Sequence, residues 1–367
     1  MPETPKKVAF LPAHPSQVWI LNEIASEVSA FADTEWYMRD KEITLELGDY
    51  LDLDYEVISK AGRGIWGNGK ELMKNIRHCV RNTKKKGIDL WVTKYSAGSI
   101  ASRLCRKKTI SFIDDDIDVV PIIGYTTFPF ANMVITPLET RMGRFEEKTL
   151  RFPGNLELFY LHPNRFNADP GIKKELGLRE GQKYAIIRLS ALQAHHDIGI
   201  RGIKEELIRE IIHIYKGDIK VFITSEKQLS PEFEEHRLTI RPERIHHALY
   251  FAEFFLGDSQ TMTSEAAVLG TPAYRLSDFV GRLSYIEKLQ EYGIAFGYKP
   301  GKEDRLIEDL RKQREDRDFQ NKVRERRDRY IEDSIDPLPF FVDAVRGILE
   351  GKNRKELFEW MKKKKYT

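Results

Sequence analysis

Five oxygen-bearing side chains, Asp258, Ser259, Thr261, Thr263 and Ser264, crowd one short stretch of the chain, FFLGDSQTMTSEAAVLGTPAYR (254–275). The pattern predicts a strand, a polar loop, a short helix, a Gly-Thr-Pro turn and a second strand. A helix N-terminus presents unpaired backbone N–H groups and the positive end of the helix dipole, so a hydroxyl-rich one suits an anion such as a diphosphate. Glu265, one turn in, is placed to accept hydrogen bonds from ribose hydroxyls. Gly270 predicts a left-handed cap and Pro272 an extended restart. Plain capping by Ser and Thr accounts for the same residues, and spacing alone does not separate the two readings.

Other candidates stand where strands are predicted to end. Arg188 closes the strand YAIIRL, and His195, His196 and Asp197 follow it in a polar loop. Adjacent histidines point different ways on most backbones, so one cleft-facing His with a structural neighbour is expected rather than a two-His metal site. His14 follows the first strand in Pro12-Ala13-His14-Pro15. It reads either as a general base on a hydroxyl, its ordinary pKa being near neutrality, or as a turn residue capping backbone. Asp114, Asp115, Asp116 and Asp118 cluster after TISFI. Carboxylates so close repel unless they are solvated, split between faces or share a cation. Gly62-Arg63-Gly64-Ile65-Trp66-Gly67 matches GxGxxG, but it does not follow the first strand, and Asp89 begins a strand rather than ending one. A flexible loop is the better reading there.

These residues need a scaffold of strand ends. In the first half, Val8–Leu11, Tyr55–Ser59, Ile88–Thr93, Thr109–Ile113 and Met133–Thr136 read as strands, with helical patterns between them. In the second half Tyr184–Leu189, Lys220–Thr224, Phe254–Leu256 and Ala273–Arg275 do the same, with helices over 203–216, 243–252 and 262–269. Strands alternating with helices imply parallel sheets. Phe152–Gly181, rich in Pro, Asn and Gly, reads as a linker, and Glu303–Ile331 as charged helix. A length of 367 residues agrees with two domains.

The chain carries 60 Lys and Arg against 57 Asp and Glu, and residues 301–367 alone hold 19 against 16. The first 300 residues are therefore neutral, which speaks against a nucleic-acid partner. The surplus ends in Lys362–Lys365, read as a solvated terminus or, alternatively, as a weak peripheral contact with anionic lipid. Two cysteines, Cys79 and Cys105, form no framework and no metal spacing, which suits a reducing cytosol. The first residues lack the apolar stretch of a signal peptide, and the longest uncharged stretch, Val119–Leu138, is broken by three prolines. A cytoplasmic protein is expected, with peripheral contact at the inner face of the membrane as an extension. Tyr125–Phe130 within that stretch reads as buried packing, or as an exposed apolar patch receiving a lipid-linked acceptor.

The run Asp-Ser-x5-Glu-Ala-x2-Leu-Gly-x-Pro (258–272) resembles the nucleotide-binding signature of the GT-B superfamily, especially the non-hydrolysing UDP-N-acetylglucosamine 2-epimerases. With RLSALQAHHDIGIRG (188–202), YLHPNRF (160–166) and IDDDIDVVP (113–121), the chain resembles more closely an uncharacterised family of archaeal and bacterial GT-B-like proteins. The resemblance implies an α/β fold of two Rossmann-like, doubly wound parallel-sheet domains facing a central cleft. Residues 1–155 would form the acceptor side, 168–335 the nucleotide-sugar side, and 336–367 C-terminal helices with a basic tail, packing back on the N-terminal domain. It implies that Ser259, Gln260 and Thr261 bind phosphate and Glu265 the ribose; Arg188 or Arg275 is expected to offset diphosphate charge.

The catalytic candidates are His14, Asp114, Asp116 and His195, with no metal and no cofactor. The epimerases carry a His-Arg-Arg-Glu-Asn block where this chain has His195, and an Asp after the strand that here leads into Lys94-Tyr95-Ser96. The expected function is a nucleotide-sugar-dependent glycosyltransferase, with a UDP-linked donor and a glycan or lipid-linked acceptor, in surface glycan or glycolipid synthesis. A nucleotide-sugar 2-epimerase and a non-catalytic nucleotide-sugar-binding protein are the alternatives. Oligomeric state is not legible.

Overall fold

The computed structural model describes residues 5–62, 64–190, 203–225 and 228–366, without the side chains of Ile65 and Trp66. Arg63 and the block His195-His196-Asp197 thus lie outside the described residues. The chain divides into two compact units, one of residues 1–162 with 334–367, the other of residues 163–333.

The first unit holds a seven-stranded sheet: β1 (Lys7–Leu11), β2 (Asp33–Asp40), β3 (Tyr55–Lys60), β4 (Leu90–Thr93), β5 (Lys108–Phe112), β6 (Met133–Pro137) and β7 (Thr149–Phe152). Their order is β3-β2-β1-β4-β5-β6-β7, every pair parallel. Strands β4 and β6 are buried along their whole length, as expected of near-continuous apolar runs covered on both faces. The helix Pro15–Val28 starts at Pro15, whose fixed φ suits a first helical position. It buries Val18, Leu21, Ile24 and Val28 at the spacing of one helical face. The helix Pro337–Leu349 belongs to this unit and packs on it through aromatic edges. Phe341 stands 6.1 Å from Phe112 and 5.7 Å from Phe159, and Phe340 stands 5.9 Å from Phe152, between ring centres.

The second unit holds five strands: β8 (Lys183–Leu189), β9 (Ile219–Ser225), β10 (Phe255–Gly257), β11 (Ala273–Leu276) and β12 (Ala295–Tyr298). Their order is β12-β11-β10-β8-β9, again all parallel. One face of this sheet (Ala185, Ile187, Val221, Ile223, Leu256, Tyr274, Leu276) forms the core with Leu207, Ile208 and Ile211 of the helix Glu205–Ile214 and Leu306 and Leu310 of the helix Glu303–Glu315. Because side chains alternate along a strand, Ile186, Arg188, Phe255, Gly257, Ala273 and Arg275 take the opposite face. Both units are doubly wound α/β sheets. Among the described residues no helix is long and apolar enough to cross a membrane.

Candidate functional site

In an open parallel sheet, ligands collect beyond the carboxyl ends of the strands where the strand order reverses. In the second unit that point lies between β8 and β10. Register places Arg188 of β8 beside Thr224 and Gly257, and Gly257 beside Arg275 of β11. Arg188 Nη1 donates to Thr224 Oγ1 at 3.1 Å. A Cβ on Gly257 would come within 2.6 Å of the Phe255 ring and 3.2 Å of Arg188 Cβ, so a residue without a side chain leaves Arg188 its place. Past β8, the Ser190 N–H donates to Asp258 Oδ1 at 2.8 Å, tying the two strand ends together. Burial pushes the Asp258 carboxyl upward, against the Ser190 hydrogen bonds and the charge of Arg188.

The helix Gln260–Val268 begins at this point, with Ser259 extended at its N-cap and Ser259 Oγ accepting from Met262 N–H at 3.4 Å. The cap uses one of the free N–H groups and leaves the dipole in place. Ser259, Gln260, Thr261 and Met262 are half-buried, whereas Thr263, Ser264 and Glu265 are buried. Glu265 lies four residues beyond Thr261 and so on the same face. Its Oε1 meets His246 Nε2 at 3.1 Å, from the helix Ile245–Phe251. Gly270 takes φ +83° after the helix, the left-handed cap that its sequence position predicts. Arg275 lies deeper. Its side chain is fully enclosed, and burial lowers its pKa. Nη2 faces the Phe279 carbonyl at 3.5 Å and Glu287 Oε1 at 3.4 Å, while Nε and Nη1 have no hydrogen-bond partner among the described residues.

In the first unit the order reverses between β1 and β4. His14 follows β1 as the N-cap of the helix Pro15–Val28. Its Nδ1 accepts from Ser16 N–H at 3.4 Å, and its Nε2 lies 3.5 Å from Glu42 Oε2. The ring is 43% exposed, so capping does not bury it. Behind it, Arg39 donates from Nε and Nη2 to the two Glu71 oxygens at 2.7 and 2.9 Å and lies over the Tyr95 ring. Ser59 Oγ and Gly62 N–H also donate to Glu71, each at 2.7 Å. Burial alone would raise the Glu71 pKa, but these donors outweigh it and hold the carboxyl below its ordinary range.

The aspartates after β5 are not alike. Lys94, at the end of β4, donates to Asp114 Oδ1 at 3.2 Å and Asp115 Oδ2 at 3.1 Å. Burial opposes the Lys94 charge, yet the two carboxylates prevail and raise its pKa. Asp114 is raised by burial despite that ammonium. Asp116 is fully buried and accepts from the Arg141 N–H at 2.6 Å, with the Arg141 guanidinium 3.2 Å from its other oxygen. Asp118 is exposed on the same guanidinium. The cluster is thus split between two cations. Among the described residues no group of three or more His, Cys, Asp or Glu is arranged to hold a metal ion.

The structure brings Arg188, Ser259, Gln260, Thr261 and Glu265 to one strand-end region of the second unit, with Arg275 buried alongside. It gathers His14, Asp114 and Asp116 at the carboxyl ends of the first unit's strands. Sequence reasoning passed over His246, Arg39 and Glu71. The doublet His246-His247 was as visible as His195-His196, but nothing local ties it to Glu265, nineteen residues on.

Neither the scan against family models nor the search of curated proteins gives a match. Solved structures do match. The UDP-GlcNAc 2-epimerase from Neisseria meningitidis bound to UDP-GlcNAc aligns at 12% identity and TM-score 0.67, over 94% of this chain and 100% of that one. The S. aureus MnaA–UDP structure aligns at 11% identity and TM-score 0.65, over 94% and 97%. The spinosyn forosaminyltransferase SpnP aligns at 14% identity and TM-score 0.61, over 94% and 100%. Epimerases and glycosyltransferases thus share this fold, as the sequence resemblance implied.

Proposed function

We propose that the chain is a nucleotide-sugar-dependent glycosyltransferase of GT-B type, using a UDP-linked donor in surface glycan or glycolipid synthesis. The observation that carries the donor half is the helix N-terminus at Ser259–Thr261. It sits where the second sheet reverses, with Arg188 beside it and Glu265 on the same face as Thr261. These groups suit a diphosphate and a ribose. Arg275, enclosed behind them, would add positive charge without direct contact.

Transfer would break the bond between the sugar's anomeric carbon and the diphosphate oxygen and form one to an acceptor hydroxyl oxygen. His14 is the proposed base for the acceptor proton. Charge growing on the departing diphosphate would be met by the helix N-terminus and Arg188, donors that need no reorganisation during the step. Ile122 and Tyr125, 67% and 51% exposed on the helix Pro121–Thr127, offer a contact for a lipid-linked acceptor.

Epimerisation is kept as the second reading because chains of that activity align over nearly the whole length. Incubation with a panel of nucleoside diphosphate sugars and extracted glycan or lipid acceptors tests the first reading. Release of nucleoside diphosphate that depends on acceptor and is lost in His14→Ala supports transfer. Deuterium entering the sugar C2 from heavy water, with no acceptor present, would support epimerisation instead.

A further inference from the structure

The first helix turn and Glu265 have been placed at one site, but Glu265 does not stand alone there. Its side chain and that of His246 are both about 95% enclosed, at 6% and 5% exposure. The 3.1 Å contact between Nε2 and Oε1 is well formed. A carboxylate only accepts, so Nε2 carries the proton and donates. His246 is itself gripped. The edge of Phe166 meets its ring with centres 6.5 Å apart, and the same Phe166 stacks on His247 at 5.2 Å. The His247 Nδ1 accepts from the Asp169 N–H at 3.0 Å, and Arg244, one residue before the helix, pairs with Asp169 and Glu175. A Glu side chain has three rotatable bonds and loses substantial freedom when fixed. An enclosed imidazole donating to one oxygen removes that freedom before any ligand arrives.

We propose that His246 is a positioning residue. It holds one oxygen of Glu265 so that the carboxylate is already aimed at the ribose 2′-hydroxyl of a nucleoside diphosphate, making the site selective for ribo- over deoxyribonucleotides. The inference rests on the nucleotide reading of the second unit. His246 touches no ligand; it acts through Glu265. Preorganisation of this kind is felt only by ligands that use the positioned group.

The experiment measures binding of UDP and 2′-deoxy-UDP to the full chain by calorimetry, for wild type, His246→Ala and His246→Gln. Wild type should prefer UDP by about tenfold, as for a hydrogen bond to a charged group. His246→Ala should weaken UDP by about tenfold and change 2′-deoxy-UDP by less than about twofold, so that the preference disappears. His246→Gln, which keeps a donor near the same place, should restore most of the preference. An unchanged ratio in His246→Ala, or equal weakening of both nucleotides, would overturn the assignment. Thermal melts check each variant. Should His246→Ala unfold, His246→Leu replaces it; if both unfold, the pair is a folding element and the positioning role is overturned. Wild type that binds neither UDP nor 2′-deoxy-UDP would overturn the donor reading itself, a result distinct from a ratio that ignores His246.

Discussion

Lys94 shows how a single residue changes the meaning of its neighbours. Four aspartates after one strand look like a cation site or a pair of proton-transfer groups, and the sequence alone left both open. The ammonium of Lys94 pairs with the first two, and Arg141 pairs with the other two. Removing one partner of a buried ion pair leaves an uncompensated charge. Lys94→Met should therefore cost about 3–5 kcal/mol in urea unfolding. Adding Asp114→Asn to that variant should recover part of the loss. Glu71 makes a prediction of opposite pH character from Asp114. A carboxyl held below its ordinary range stabilises the fold above the ordinary glutamate pKa, and that stability is lost as pH falls through the folded value. Glu71→Gln should thus be less stable than wild type at neutral pH, and the gap should narrow between about pH 5 and pH 3. A gap that stays constant across acid titration of unfolding would count against the shift. Residue roles of this sort were only partly legible. Ser259 stood out because its capping partner, the Met262 N–H, is local, and Glu265 because of the run it belongs to, whereas Lys94 with Asp114, Arg39 with Glu71 and His246 with Glu265 meet only through the fold.

Among elements, legibility followed burial. Strands β1, β4, β5, β6, β8 and β10 announce themselves as apolar runs because both faces are covered. Strand β2, DTEWYMRD, carries charge at both ends and buries only its middle, so no run or alternation marks it. Strand β12 is four residues with a glycine inside, and β7 is four residues, TLRF, too short for its polar-apolar alternation to stand out. Each joins a sheet whose other strands supply the template. The helix Gln260–Val268 was legible for a different reason, its cap chemistry. Ser259→Ala should cost about 1 kcal/mol of stability through the lost N-cap. Since the same residue stands at the proposed diphosphate site, UDP binding should weaken by more than that stability loss implies, readable by calorimetry on folded variant. Loss of stability with unchanged UDP affinity would leave Ser259 as a cap alone.

At the scale of the molecule, the neutral body and small basic surplus read from composition agree with the proposed local binding of an anion, through backbone N–H groups and a few arginines. No excess of charge across a whole face is needed. The division into units, however, is not sequential. The first unit is completed by residues 334–367, whose Phe340 and Phe341 cover Phe112, Phe152 and Phe159. The second is continuous from 163 to 333. A fragment of residues 163–333 should therefore melt cooperatively by circular dichroism. A fragment of residues 1–162 should not, and should bind a hydrophobic dye; a cooperative melt for it would show the last helices to be dispensable.

The closing of the first unit by the helix Pro337–Leu349 also sets an order of events during synthesis. When residue 162 leaves the ribosome, the seven-stranded sheet has all its strands but lacks the helix that seals its aromatic edge. At about 5–20 residues per second, the intervening unit takes on the order of ten seconds or more to be made. For that interval Phe112, Phe152 and Phe159 wait uncovered while a later, self-contained unit can fold ahead of them. The nascent chain is most exposed to aggregation, and most in need of a chaperone, while residues 163–333 are being made.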